Sequence, residues 1–101
     1  MAAKGMPMPG GLGSPKPATP EVQKLTDQVK AEVFKKEGRN LHKFHAVSFA
    51  TQTVAGYNYI IKVESDANEY FLIKVYVDLN KKVELKGYQK GKNKDTPLTL
   101  F

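Results

Sequence analysis

The sequence predicts an α+β fold in which one amphipathic helix lies against a small antiparallel sheet. Apolar residues recur with a helical period between Thr19 and Gly38, and with a period of two thereafter. The later apolar runs are joined by connections of about five residues, far below the roughly dozen that a parallel crossover needs. A chain of 101 residues, 41% hydrophobic, suits one domain with one core.

The elements follow in order. Five of the six prolines (Pro7, Pro9, Pro15, Pro17, Pro20) and Gly5, Gly10, Gly11 and Gly13 fall in the first twenty residues. That stretch can form neither a helix nor a central strand, so residues 1–12 are expected to be a flexible arm on a single domain of residues 13–101. Thr19 suits an N-cap, Pro20 the first helical position, and Glu21 the positive end of the helix dipole. Val22, Leu25, Val29 and Val33 form the apolar stripe, and Gly38 supplies the stop. Residues 41–51, 57–64, 70–77 and 83–89 then read as four strands rich in Val, Ile, Phe and Tyr. Tyr59, Ile61, Val63, Phe71, Ile73 and Val75 alternate with Lys62, Glu64 and Lys74, which predicts one buried face for the helix to cover.

Composition narrows the function. With no cysteine there is no disulfide, thiolate metal site or cysteine nucleophile. His42 and His45, three residues apart on an expected strand, point to opposite faces, and Ser14, Ser48 and Ser65 lack any nucleophile-elbow context. Neither an enzyme nor a cofactor or metal site is expected. The formal charge of +6 is dispersed: Lys4 and Lys16 stand in the first twenty residues, and the remainder mixes both signs throughout. Even the cluster of Lys86, Lys90, Lys92 and Lys94 reads as a solvated strand end and loop, so no nucleic-acid partner is expected. No apolar run resembles a signal peptide or reaches the roughly 20 residues of a membrane span, so a cytoplasmic protein without membrane contact is expected.

Two segments stand out. Gln52-Thr53-Val54-Ala55-Gly56 joins two strands as a five-residue hairpin loop, yet Val54 and Ala55 occupy an apex that is ordinarily polar. An apolar tip suits entry into a groove. In the arm, Met8-Pro9-Gly10-Gly11-Leu12 places apolar side chains around two glycines, which would let a backbone approach a partner more closely than a Cβ allows.

Together these segments resemble the stefins, the intracellular type-1 branch of the cystatin superfamily, and within it the A type. The resemblance is carried by Pro9-Gly10-Gly11-Leu12, Lys16-Pro17-Ala18-Thr19-Pro20-Glu21, Ala46-Val47, the Gln-x-Val-x-Gly run Gln52–Gly56, Asn58-Tyr59, Ile61-Lys62-Val63, Gly87-Tyr88-Gln89 and Leu98-Thr99-Leu100-Phe101. It implies a cystatin-like antiparallel sheet of four to five strands wrapped around one long helix, part of the arm forming the extra edge strand. It also implies reversible, tight-binding inhibition of papain-like cysteine proteases, the cathepsins among them, by insertion of a three-part edge into the active-site cleft. Met8, Pro9, Gly10 and Gly11 match the arm contact; Gln52, Thr53, Val54, Ala55 and Gly56 match the first hairpin; Leu79 and Asn80 fall where the second hairpin contact lies.

The second hairpin departs from the family pattern, since Leu79 is followed by Asn80 rather than proline and the segment from Val75 to Gly87 is shorter. That shortening favours the alternative of a non-inhibitory or engineered cystatin-fold binding scaffold. Another alternative is a polyanion binder using Lys81, Lys82, Lys86, Lys90, Lys92 and Lys94. A monomer is expected, with strand exchange about a hairpin hinge as the route to a dimer.

Overall fold

Residues 11–101 are described by the computed structural model, whose elements run β1 (Lys16–Pro17), α1 (Pro20–Glu37), β2 (Phe44–Val54), β3 (Gly56–Ser65), a 3₁₀ turn (Asp66–Asn68), β4 (Tyr70–Val77) and β5 (Val83–Lys92). Met8, Pro9 and Gly10 lie outside the described residues. The strands form one antiparallel sheet in the order β1-β2-β3-β4-β5, with α1 packed against one face.

The helix begins and ends where its caps dictate. The Thr19 Oγ1 accepts the Val22 N–H at 3.2 Å, Pro20 opens the first turn, and Gly38 closes the last at φ 78°, its N–H donating to the Phe34 carbonyl at 2.9 Å. The buried stripe differs from the expected one by a residue: Val22, Thr26, Val29 and Val33 are buried, and Leu25 is only partly so. Thr26 can occupy the core because its hydroxyl donates to the Val22 carbonyl one turn back at 2.9 Å, leaving only its methyl to be packed. The valines join Phe44, Ala46, Ile61, Val63, Phe71, Ile73, Val75 and Leu85 in one core. Gln23 fixes the helix to β2, accepting the Ala46 N–H at 2.8 Å and donating to the Phe44 carbonyl at 3.3 Å, beside the bulge between Ala46 and Ser48.

The expectation of a single buried face is corrected. Ala50, Ile60 and Leu72 are buried on the sheet face away from the helix, and Lys62 is buried with them. The segment after β5 crosses that face: the Lys62 ammonium donates to the Lys94 carbonyl at 2.6 Å and the Lys74 ammonium to the Phe101 main-chain oxygen at 2.9 Å. Here the alternation fails because a segment without regular structure covers the second face, and each lysine sends its charged head to a carbonyl at the rim while its stem stays apolar. The strands also differ in extent: β2 starts at Phe44 rather than Leu41, so His42 precedes the sheet and His45 stands on it, both exposed.

A charged cluster ties the helix end to β5. Glu37, with its side chain 4% exposed, accepts from the Tyr88 hydroxyl at 2.9 Å and faces Lys90 at 3.5 Å and Arg39 at 3.4 Å. Burial by itself pushes this carboxyl up, but Tyr88, Lys90 and Arg39 together hold it below its ordinary value. A depressed folded value means a stabilisation present above the unfolded carboxylate's pKa and lost as pH falls through the folded one. Glu37→Gln is therefore expected to lower the melting temperature by a few degrees, about 1 kcal/mol, at pH 7. The gap from the parent should close as pH drops through the acidic range, as thermal melts at several pH values would show.

Candidate functional site

The expected site segments from Gly11 onward meet at one end of the sheet. β2 and β3 remain paired down to Val54 and Gly56, so Gln52 and Thr53 lie within the strand and Ala55 alone makes the turn. This corrects the expected five-residue loop: the tip is a continuation of the ladder, stiffer than a loop of that length. Gly56 lies at φ 105°, and a Cβ there would stand 2.3 Å from the Val77 carbonyl oxygen and 2.9 Å from the Asp78 Cα. The first hairpin is thus seated directly on the end of β4, an approach that only glycine permits.

Two side chains outside the motif brace this tip. The Tyr76 hydroxyl donates to the Ala55 carbonyl, and the Asn58 amide donates to the Gln52 side-chain oxygen at 2.8 Å, across the pair Gln52–Asn58. Neither role is legible beforehand, since each depends on register between strands. Val54, 41% exposed, stands beside the turn, and Thr53 and Ala55 are exposed with it.

The chain from Gly11 to Ala18 runs along the outer edge of β2. Leu12 bridges to Gln52, the Gly13 N–H donates to the Thr51 carbonyl at 2.8 Å, Lys16 and Pro17 pair with Phe49 and Ser48, and the Ala18 N–H reaches the Val47 carbonyl at 3.0 Å. Prolines are tolerated in this position because it is the edge of the sheet. Gly11 and Leu12 therefore lie beside the first hairpin.

On the other flank, Asp78–Lys82 connects β4 to β5. Asp78 organises it: one carboxylate oxygen accepts the N–H groups of Asn80 at 2.8 Å and Lys82 at 2.9 Å, and its own N–H donates to the Lys82 carbonyl at 3.0 Å. Lys81 takes a left-handed conformation, φ 67°. The Asp78 side chain thus braces the short loop from within. Leu79 projects from it, 76% exposed, with Asn80 exposed beside it. The pairing of Tyr57 with Val77 sets this loop next to the first hairpin.

Behind the tip, Phe49 stacks on Tyr59 at 6.0 Å and Tyr59 meets Tyr57 edge-on at 6.4 Å. Burial raises the Tyr59 phenol, with the Glu21 carboxylate and Tyr57 adding to the effect, so it stays neutral at ordinary pH. Among the described residues no group of three or more His, Asp or Glu side chains could hold a metal ion, and no helix is long and apolar enough to cross a membrane. What the described residues bring together is an edge: backbone and apolar side chains from three segments, aligned along one end of a sheet.

One helix packed against a five-stranded antiparallel sheet is the architecture of a cystatin, and the cystatin-domain family model matches residues 10–95. The chain belongs to the cystatin family, whose members are protease inhibitors rather than enzymes. Within the family it is of the stefin type. It is 46% identical over 97 residues to cystatin-A of Homo sapiens and 45% identical over 97 residues to cystatin-A of Felis catus, in each case across 93% of this chain and 99% of the relative. Over 95 residues it is 42% identical to the leukocyte cysteine proteinase inhibitor 1 of Sus scrofa, across 91% of this chain and 92% of that protein.

Proposed function

We propose that this protein is a reversible, tight-binding inhibitor of papain-like cysteine proteases, the cathepsins among them, and that it acts as a cytoplasmic monomer. Residues 1–12 serve as the arm and residues 13–101 as the domain that carries the hairpins. The contacts are Met8, Pro9, Gly10 and Gly11 from the arm, Gln52 to Gly56 from the first hairpin, and Leu79 and Asn80 from the second. The observation that carries this reading is the alignment of Leu12, Val54 and Leu79 at one end of the sheet.

Inhibition by such an edge needs no reactive group. A paired hairpin tip fills a cleft beside the catalytic thiol without presenting a correctly placed scissile carbonyl, so the nucleophile has nothing to attack. The first tip is held by ladder pairing, Tyr76 and the seat of Gly56 on β4, and it therefore loses little entropy on docking.

Titration of active papain tests the proposal. Activity is expected to fall linearly with added protein and to vanish near one equivalent. A papain whose thiol carries a small alkyl group should still bind, more weakly, because occupancy and not covalent chemistry is responsible. Full papain activity in the presence of excess protein would refute the reading and favour the non-inhibitory scaffold to which the short second hairpin points.

A further inference from the structure

The geometry points to Tyr57 as a further contact residue of the inhibitory edge, one that fits an apolar wall of the protease cleft and so bears on which proteases are accepted. The inference rests on the inhibitory reading above. Tyr57 follows Gly56 immediately and is 48% exposed, the second most exposed large apolar side chain among the described residues after Leu79.

Its placement is what distinguishes it. Tyr57 pairs with Thr53 on one side and Val77 on the other, in register with the strand positions that send Tyr59 and Ile61 toward the helix. Val54, paired with Gly56, falls on the opposite face by strand alternation. The tip therefore carries an apolar group on each flank, Val54 on one and Tyr57 on the other. A tip inserted into a cleft has a wall on either side of it, and Val54 faces only one of them.

Tyr57 is also braced. Its ring meets Tyr59, Tyr59 stacks on Phe49, and both Phe49 and Tyr59 pack against the core. A ring held in this way, with two side-chain torsions, loses little freedom on docking, and its hydroxyl stays at the wet rim while its face covers apolar surface. The complementary surface is an aliphatic or aromatic side chain on the wall facing the helix-bearing side of the sheet. A charged side chain at that place would be desolvated by the ring without a partner.

Tyr57→Thr and Tyr57→Phe, measured with papain by inhibition and dissociation kinetics alongside thermal melts, test the assignment. Threonine keeps strand propensity and removes the ring; it is expected to weaken inhibition by about 10–100-fold, mainly through faster dissociation, with the association rate changed by less than about threefold. Phenylalanine keeps the ring and should stay within about threefold of the parent. Unchanged inhibition by Tyr57→Thr overturns the assignment. So does a loss of affinity that merely follows a large fall in melting temperature. A parent that leaves papain active sinks the inhibitory reading and this inference with it, whereas a potent parent matched by Tyr57→Thr sinks Tyr57 alone.

Discussion

Gly56→Ala is expected to lower the melting temperature by about 10–20 °C and to weaken protease inhibition by at least a hundredfold, although it adds a single methyl group. At φ 105° an L-residue is strained whatever the space around it, and here the space is already occupied. The new Cβ would lie 2.3 Å from the Val77 carbonyl oxygen and 2.9 Å from the Asp78 Cα, both backbone atoms. Val77 cannot yield cheaply, because it is paired with Tyr57 on one side and with Val83 on the other. Either the first hairpin lifts away from β4, losing the Tyr76 bond to Ala55, or the end of β4 shifts and takes the Asp78 clamp with it. Strain and overpacking together cost about 2–4 kcal/mol. Gly91→Ala separates the two effects, since Gly91 also has positive φ, 75°, but its Cβ would meet nothing within 4 Å. It should cost only the conformational term, about 1 kcal/mol, and leave inhibition unchanged. Equal melting temperatures for the two variants would show that the contact with β4 is not what glycine is needed for.

That example marks where the sequence stops being legible. The Gln-x-Val-x-Gly run could be seen and an apolar apex recognised, but the reason for its glycine lies in Val77 and Asp78, twenty-one and twenty-two positions further on, and depends on the β3–β4 register. Tyr76 and Asn58 were unreadable as braces for the same reason, and so was Asp78 as the clamp of its loop. Local signals fared best: Thr19, Pro20 and Gly38 act within one turn of themselves, and the helix begins and ends at them. The alternation of Ile61, Val63, Ile73 and Val75 likewise identified the face that the helix covers. It misjudged the other face, because nothing local to Ile60 or Leu72 announces that residues 94–101 will lie across it. Thr26 replaced Leu25 in the core through a hydrogen bond to its own helix, which a scale of hydrophobicity does not register.

Val54→Asp is expected to weaken inhibition of papain by about 10²–10⁴-fold, equivalent to about 3–5 kcal/mol, while leaving the melting temperature within a few degrees of the parent. Val54 is 41% exposed at the end of β2, so a carboxylate there is solvated in the free protein and costs the fold little. On the inhibitory mechanism proposed above, docking would carry the tip into a cleft from which water is excluded, and the charge would arrive there without a partner. Val54→Ala removes only part of an apolar contact and should weaken binding by about tenfold or less. The decisive comparison is Val47→Asp. Val47 is 38% exposed on the same strand, seven residues back, about 23 Å along β2 at the usual rise per residue. Both substitutions place a carboxylate at an exposed valine of this strand, Val47 at the bulge and Val54 at the tip, so any general effect of charge on solubility or electrostatics appears in both. Inhibition constants that rise together would assign the loss to charge. A loss confined to Val54→Asp would locate the protease contact at the end of the sheet where Gly11, Leu12 and Leu79 also lie, and inhibition undiminished in both would remove the first hairpin from the mechanism.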